Sequence, residues 1–244
     1  MKDIEKGASN IKVCILAAGS GSRLKMGIPK AIANITANYT ILDLQIESLR
    51  KILNINLEDI IVVVGYKKQL IMEKYPELSF ISNNDYQNTG TAKSLLKGLQ
   101  DVQNSDVLWI NGDVVFDSDV LNQLIKNKEY NVVMADNRHS RKEEIKYSIG
   151  DDGFIKEVSK NVKNSLGELI GINLVKEHTL PAFISNLEKS ADLDYFDKAI
   201  QKTIEEGFKF IPLNIGNRFS IEIDYPHELE IAQEWVENNN SKTL

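Results

Sequence analysis

The chain has 244 residues, 42% of them hydrophobic, which is enough for a sizeable core without disulfide or metal staples. Its formal net charge of −6 speaks against a surface that holds nucleic acid or anionic lipid by counterion release, so an anionic substrate has to be gripped locally, by a few placed cations or a metal. The single cysteine, Cys14, lies in the apolar run Val13-Cys14-Ile15-Leu16, which excludes an internal disulfide or a cysteine metal centre and reads as an inert buried thiol.

Residues 1–6 are mostly charged, the apolar run that follows is far shorter than the roughly 18 residues of a membrane span, and no signal-peptide pattern is present. The expected location is the cytoplasm, with neither a membrane nor a nucleic acid as partner. Residues 11–16, 60–64, 78–81 and 107–110 are short β-branched runs that read as strands, while 41–53, 67–74 and 91–102 carry apolar residues at helical spacing. This alternation predicts an α/β fold with a mostly parallel sheet and helices on both faces. From Asn131 the texture shifts to shorter strand-like pieces at 132–135, 146–149, 154–158 and 168–175, before helices return near Lys176 and Leu193. With no Pro/Gly/Ser-rich linker, internal repeat or hexapeptide array, residues 1–244 read as a single domain whose second half completes the sheet and builds a pocket. The asparagines at 238–240 are expected to fray.

The strongest local signal follows the first strand: Leu16-Ala17-Ala18-Gly19-Ser20-Gly21-Ser22-Arg23, then Pro29-Lys30. A strand opening into a small-residue turn leaves backbone N–H groups uncovered, tiny side chains let phosphate oxygens reach them, and Arg23 and Lys30 add charge. The loop lacks the Gly-Lys-Ser/Thr ending of a P-loop and the third glycine of a dinucleotide fingerprint; by itself it is also an ordinary strand-to-helix turn.

Three more segments carry polar residues at telling places. Asn88-Thr89-Gly90-Thr91-Ala92 precedes a helix and, on its own, is a turn with Thr91 as N-cap. An apolar strand ends in Asn111-Gly112-Asp113, so Asp113 falls beyond a strand's carboxyl end, where open α/β sheets bind ligands and metals; a turn aspartate reads the same way. In Ser220-Ile221-Glu222-Ile223-Asp224-Tyr225-Pro226, alternation puts Glu222 and Asp224 on one face and Ile221 and Ile223 on the other, as a plain edge strand before a helix would also do.

Together these segments resemble the NTP-transferase family, the nucleotidyltransferases that make nucleotide sugars and CDP-linked alcohols. The resemblance implies a Rossmann-like, mixed but mostly parallel sheet flanked by helices, of the nucleotide-diphospho-sugar transferase type. Its nucleotide-binding half would span about residues 11–130 and its acceptor-binding half about 131–237. It further implies that Leu16, Ala17, Ala18, Gly19, Ser20, Gly21 and Ser22 wrap the NTP, that Arg23 and Lys30 neutralise its phosphates, and that Asn88, Thr89, Gly90 and Asn111 face the nucleotide. Asp113 and Asp224 would hold Mg²⁺, with the part of Glu222 left open. Two carboxylates suit an ion shared with substrate, since water and phosphate oxygens fill the other octahedral positions. Lys160 stands where the family has the lysine of its Glu-Lys-Pro motif, with Asn161 in place of the proline, and is expected to screen the acceptor phosphate from the α-phosphate.

Residues 167–172 and 194–199 resemble the branch that cytidylylates phosphocholine and related amino-group phosphates, which implies that Glu168, Tyr195 and Asp197 receive a cationic head group. Taken by themselves, Tyr195 and Phe196 are also helix core and Glu168 a strand-edge charge. Residues 88–92 stand closer to the sugar-1-phosphate enzymes. The expectation is CMP transfer from CTP to phosphocholine, an amino-acid phosphate such as phosphoglutamine, or a similar acceptor, with release of pyrophosphate, for a surface glycan or capsule. The alternative is a sugar-1-phosphate nucleotidyltransferase using UTP, dTTP or GTP. A silent nucleotide-binding subunit is disfavoured by the presence of Arg23, Lys30 and both carboxylates, and a glycosyltransferase by the lack of an Asp-x-Asp pair near Asp113. The expected partners are the NTP and a small phosphorylated acceptor, with the chain a monomer or homodimer.

Overall fold

The structure, a computed structural model, describes residues 11–139, 141 and 143–239, so the charged residues 1–6 and Asn240 lie outside it. The chain runs β1 (Ile11–Ala17), α1 (Ile41–Leu53), β2 (Ile60–Val64), α2 (Lys68–Lys74), β3 (Ser79–Ser82), α3 (Thr91–Leu99), β4 (Asp106–Asn111), β5 (Val114–Phe116), α4 (Asp119–Lys126) and β6 (Asn131–Asp136). It continues with β7 (Lys146–Ile149), β8 (Ile155–Ser159), β9 (Gly167–Val175), α5 (Leu180–Lys189), α6 (Asp197–Glu205), β10 (Phe210–Asn214), β11 (Ser220–Glu222) and α7 (Pro226–Asn238).

Nine strands form one sheet in the order β10-β6-β9-β4-β1-β2-β3, with β7 attached to β9 and β8 to β7. Only β9 along that path is antiparallel to its neighbours, so the sheet is mixed and mostly parallel as its sequence predicts. β1 sits at the centre, between β2 and β4, and its near-continuous apolar run is what a strand covered on both faces requires. One core packs α1, α2 and α4 on one face of the sheet. A second packs α3, α5 and α6 on the other, where Trp109 stacks on Phe183 at 5.1 Å. Helices therefore flank both faces.

A third, smaller core joins Leu24 and Ile35, downstream of β1, to Val115 of β5, Ile223 and the buried Ala232 and Val236 of α7. It fastens the loop after β1 to the two-stranded ribbon of β5 and β11. The anchoring of Ala232 and Val236 also carries α7 through Asn238, with Asn239 closing it, so the chain does not fray at 238. The helix expected over 91–102 stops at Leu99, and those expected near Lys176 and Leu193 start at Leu180 and Asp197. β10 carries Pro212, which argues against a strand in sequence; it is accommodated because β10 is the sheet's outer strand, where a missing ladder donor costs little.

Candidate active site

β1 and β4 lie side by side in parallel, with Leu16 opposite Asn111, so their carboxyl ends open at the same place. The Gly112 N–H donates to the Leu16 carbonyl at 2.9 Å, and a Cβ at position 112 would stand 2.8 Å from that oxygen; only glycine lets the two strand ends close this tightly. Gly21 turns the loop at φ +58°, and a Cβ there would lie 2.7 Å from Lys30 Cγ. The loop thus needs glycine twice over, for its left-handed turn and for the lysine stem. A pocket of about 330 Å³ opens here, lined by Leu16, Ala17, Gly19 to Arg23, Lys30, Tyr86 and Asp113 among others. Ala18 does not line it: the residue is buried and its carbonyl accepts the Tyr66 N–H at 3.0 Å.

The charged centre is assembled by the short ribbon. β11 pairs antiparallel with β5, bringing Glu222 opposite Val114, and the Ile223 N–H then donates to the Asp113 carbonyl at 2.9 Å. Glu228 in the first turn of α7 accepts the N–H groups of Asp224 and Tyr225 at 2.6 and 2.8 Å, fixing where Asp224 leaves the ribbon. Lys30 Nζ donates to Asp113 Oδ2 at 3.0 Å and also to Asp224, whose other oxygen is 2.6 Å from Arg23 Nη2. Arg23 and Lys30 and both predicted metal carboxylates are therefore in direct contact.

Glu222 joins them: one oxygen each from Asp113, Glu222 and Asp224 lie within 4.8 Å of one another. Burial, followed by the charges of Asp113, Glu144 and Asp224, pushes the Glu222 carboxyl well above the ordinary carboxylate range. Burial also works against the Lys30 ammonium, but Asp113 and Asp224 outweigh it and hold its pKa above the usual lysine value. Three carboxyl groups thus gather beside two cations, and this all-oxygen donor set fits a hard divalent ion.

A second pocket, of about 700 Å³, shares Arg23 and Tyr195 with the first and reaches the same carboxylates, Glu222 and Asp224. It gathers Asn111, Lys160, Tyr195 and Asp197. Lys160 Nζ lies 5.0 Å from the Tyr195 ring centroid. Asp197 is 3% exposed, its Oδ1 has no partner among the described residues, and burial pushes its pKa up. Asn111 Oδ1 is likewise buried without a partner.

Other predicted residues lie elsewhere. Glu168 is 3% exposed and gripped by Arg141, with Nη2 and Nε at 2.7 and 3.0 Å from Oε1 and the Arg141 N–H at 3.0 Å from Oε2. It lines a separate hollow and not the larger pocket, because a carboxylate buried beside a guanidinium is already paired. The side chains of Asn88 and Thr89 are spent on their own turn, donating to Asp85 Oδ1 at 2.7 Å and the Asp85 carbonyl at 2.8 Å. Gly90, the N-cap of α3 in place of Thr91, donates to the Asp192 carbonyl at 2.6 Å and packs so tightly on Asp194 that a Cβ would collide with it. None of these three lines either pocket; their neighbours Tyr86 and Thr91 do. Glu143, Glu144 and Tyr225 also line the larger pocket without having stood out in sequence. A Lys-Glu-Glu run at 142–144 reads as a solvated turn, and only the fold shows where its carboxylates end up.

A family model described as the MobA-like NTP transferase domain matches residues 13–184. The bifunctional protein GlmU of Methanococcus aeolicus is 26% identical over 222 residues, covering 82% of this chain and 49% of that protein. The match to GlmU of Francisella philomiragia covers 26% of its length at 30% identity, so the chain spans between about a quarter and a half of these relatives. Among solved structures, the inositol-1-phosphate CTP transferase from T. maritima shares the fold with a TM-score of 0.76 and 19% identity, over 95% of this chain and 98% of that one. The CTP:phosphocholine cytidylyltransferase LicC from Streptococcus pneumoniae does so with a TM-score of 0.68 and 23% identity, over 93% and 99%.

Proposed function

The chain belongs to the MobA-like NTP transferase family, and on that premise we propose that it transfers CMP from CTP to a small phosphorylated amine, such as an amino-acid phosphate, and releases pyrophosphate. The observation that carries this is the meeting of two pockets at Arg23, Lys30, Asp113, Glu222 and Asp224, one walled by a glycine loop and the other by aromatic and acidic side chains.

In this reading the backbone N–H groups of Gly19 to Ser22 cradle the NTP phosphates, and Arg23 and Lys30 stabilise the charge that builds on the leaving pyrophosphate. The acceptor enters from the larger pocket. A phosphate oxygen forms a bond to the α-phosphorus while the bond to the β-phosphate oxygen breaks in line. Since a phosphate monoester is largely dianionic near neutral pH, no strong general base is needed, and catalysis reduces to positioning and charge neutralisation. Lys160, above the Tyr195 ring, screens the acceptor phosphate from the α-phosphate. Asp113 and Asp224, with Glu222 beside them, would hold Mg²⁺, which supplies further neutralisation of phosphate oxygens.

The amine is favoured by the composition of the larger pocket, where Glu143, Glu144 and Asp197 accompany Tyr195 and Tyr225. CTP is favoured by the resemblance of residues 167–172 and 194–199 to the cytidylyltransferase branch. The reaction belongs to the cytoplasm, where NTPs are available, and its product is the kind of activated donor that decorates a surface glycan or capsule. A second reading, a sugar-1-phosphate transferase using UTP, dTTP or GTP, is favoured by residues 88–92. Pyrophosphate release from purified protein with Mg²⁺, a panel of NTPs and a panel of acceptors tests the choice. CTP with an amine phosphate is the expected best pair; a preference for UTP with glucose 1-phosphate would establish the second reading, and nucleotide binding without any release would leave a silent subunit.

A further inference from the structure

Resting on the transfer reaction proposed above, we propose that the acceptor's head group carries N–H donors, as a primary ammonium or an amide, and is not a quaternary ammonium. Asp197, 3% exposed, and Asn111 line the larger pocket, and each carries a buried Oδ1 acceptor without a donor among the described residues. A buried oxygen left unpaired is costly, and a ligand entering this cavity is what can supply the missing N–H groups. A trimethylammonium has none to offer.

The aromatic side chains point the same way. A quaternary ammonium is normally received on open aromatic faces. Here Lys160 Nζ already sits 5.0 Å from the Tyr195 ring centroid, and the Arg23 guanidinium 5.4 Å from that of Tyr225. Phe196, the other aromatic residue of the wall, is buried with its ring edge-to-face against Trp109 at 5.6 Å. The wall therefore offers carboxylates more readily than bare rings. Glu143 and Glu144 add negative charge to it, consistent with a cationic donor.

The decisive measurement is an N-methylation series on the unaltered protein. 2-Aminoethyl phosphate and its mono-, di- and trimethyl derivatives, the last being phosphocholine, are compared by kcat/KM from pyrophosphate release. The expected result is a fall of about tenfold or more from the primary to the quaternary amine, because a site built to hydrogen-bond an N–H rejects an analogue that lacks it. In Asp197→Leu, which keeps the branched shape and removes both acceptor oxygens, the primary amine should lose most of that advantage, so the series flattens. A flat series in the unaltered protein, or one in which phosphocholine is best, overturns this inference and leaves the transfer reaction standing. Turnover of sugar 1-phosphates with none of the four amines overturns the amine-phosphate reading itself.

Discussion

Lys30→Met tests the charged centre most directly, because it keeps the length of the stem and removes only the ammonium. Lys30 Nζ stands 3.0 Å from Asp113 and is paired with Asp224 as well, and the three side chains are only 14%, 21% and 15% exposed. Removing one partner of a buried ion pair costs about 3–5 kcal/mol, chiefly because the charges left behind remain desolvated. With this residual exposure, and with Arg23 still on Asp224, the low end applies: about 3 kcal/mol, or a Tm lower by roughly 6–12 °C for a chain of this size. The same substitution leaves three carboxylates facing Arg23 alone, so the free protein should bind a divalent ion more tightly than the unaltered chain, in which the ion has to displace the lysine. An ion present at about 100 times its Kd restores about 2.7 kcal/mol, most of the loss. Thermal melts of both proteins in EDTA and in a Mn²⁺ titration without nucleotide read this out independently of activity. Equal Mn²⁺ shifts in the two proteins, or an unchanged Tm for Lys30→Met in EDTA, would refute the view that Lys30 and the metal compete for the same oxygens.

Asp113→Asn should abolish pyrophosphate release while leaving the Tm nearly unchanged, since Lys30 keeps Asp224 as a partner; an active variant would remove Asp113 from the metal site. Gly21→Ala should cost about 1–2 kcal/mol for its left-handed turn alone and, by displacing the Lys30 stem, raise the KM for the NTP, both measurable by melting and initial rates. Burial raises the Asp197 pKa in the folded protein, so its charge opposes folding at every pH above the unfolded value near about 3.9, fully so above the folded pKa, and not at all below the unfolded one. Asp197→Asn should therefore melt higher than the unaltered protein at pH 7.5, with the gap closing as the pH falls towards about 4; a gap independent of pH would mean that the carboxylate is not penalised by burial.

How far the site is legible in sequence depends on how far away each side chain finds its partner. The loop from Leu16 to Arg23 and the aspartate after β4 are readable because parallel strands lie side by side and their carboxyl ends gather, so two motifs about 90 residues apart meet without further information. Asp224 is readable as one of two alternating carboxylates. What brings it to Asp113 is not: β5 and β11 are three residues each, too short for a period, and they pair where the third core packs the loop after β1 and α7 against them. Asn88 and Thr89 show the opposite limit. Their polar side chains mark the segment, but the partners that occupy them, Asp85 and Asn83, lie within six residues and close a turn.

Glu168 and Asp197 sharpen the same point, because in sequence they look alike: each is an acid next to one large apolar residue, in the second half of the chain. In the fold both are 3% exposed, so neither can rest without compensation. Glu168 finds it inside the protein, in the fork of Arg141, 27 residues earlier in the chain. Asp197 has the charges of Lys198 and Lys160 in its surroundings but no donor on Oδ1. A buried acid with a guanidinium partner is finished structure, and one without is an unmet demand that a ligand can satisfy. Which of the two carboxylates is left unpaired is set by long-range packing, of Arg141 against Glu168 and of α6 on the sheet, which no local pattern of residues records.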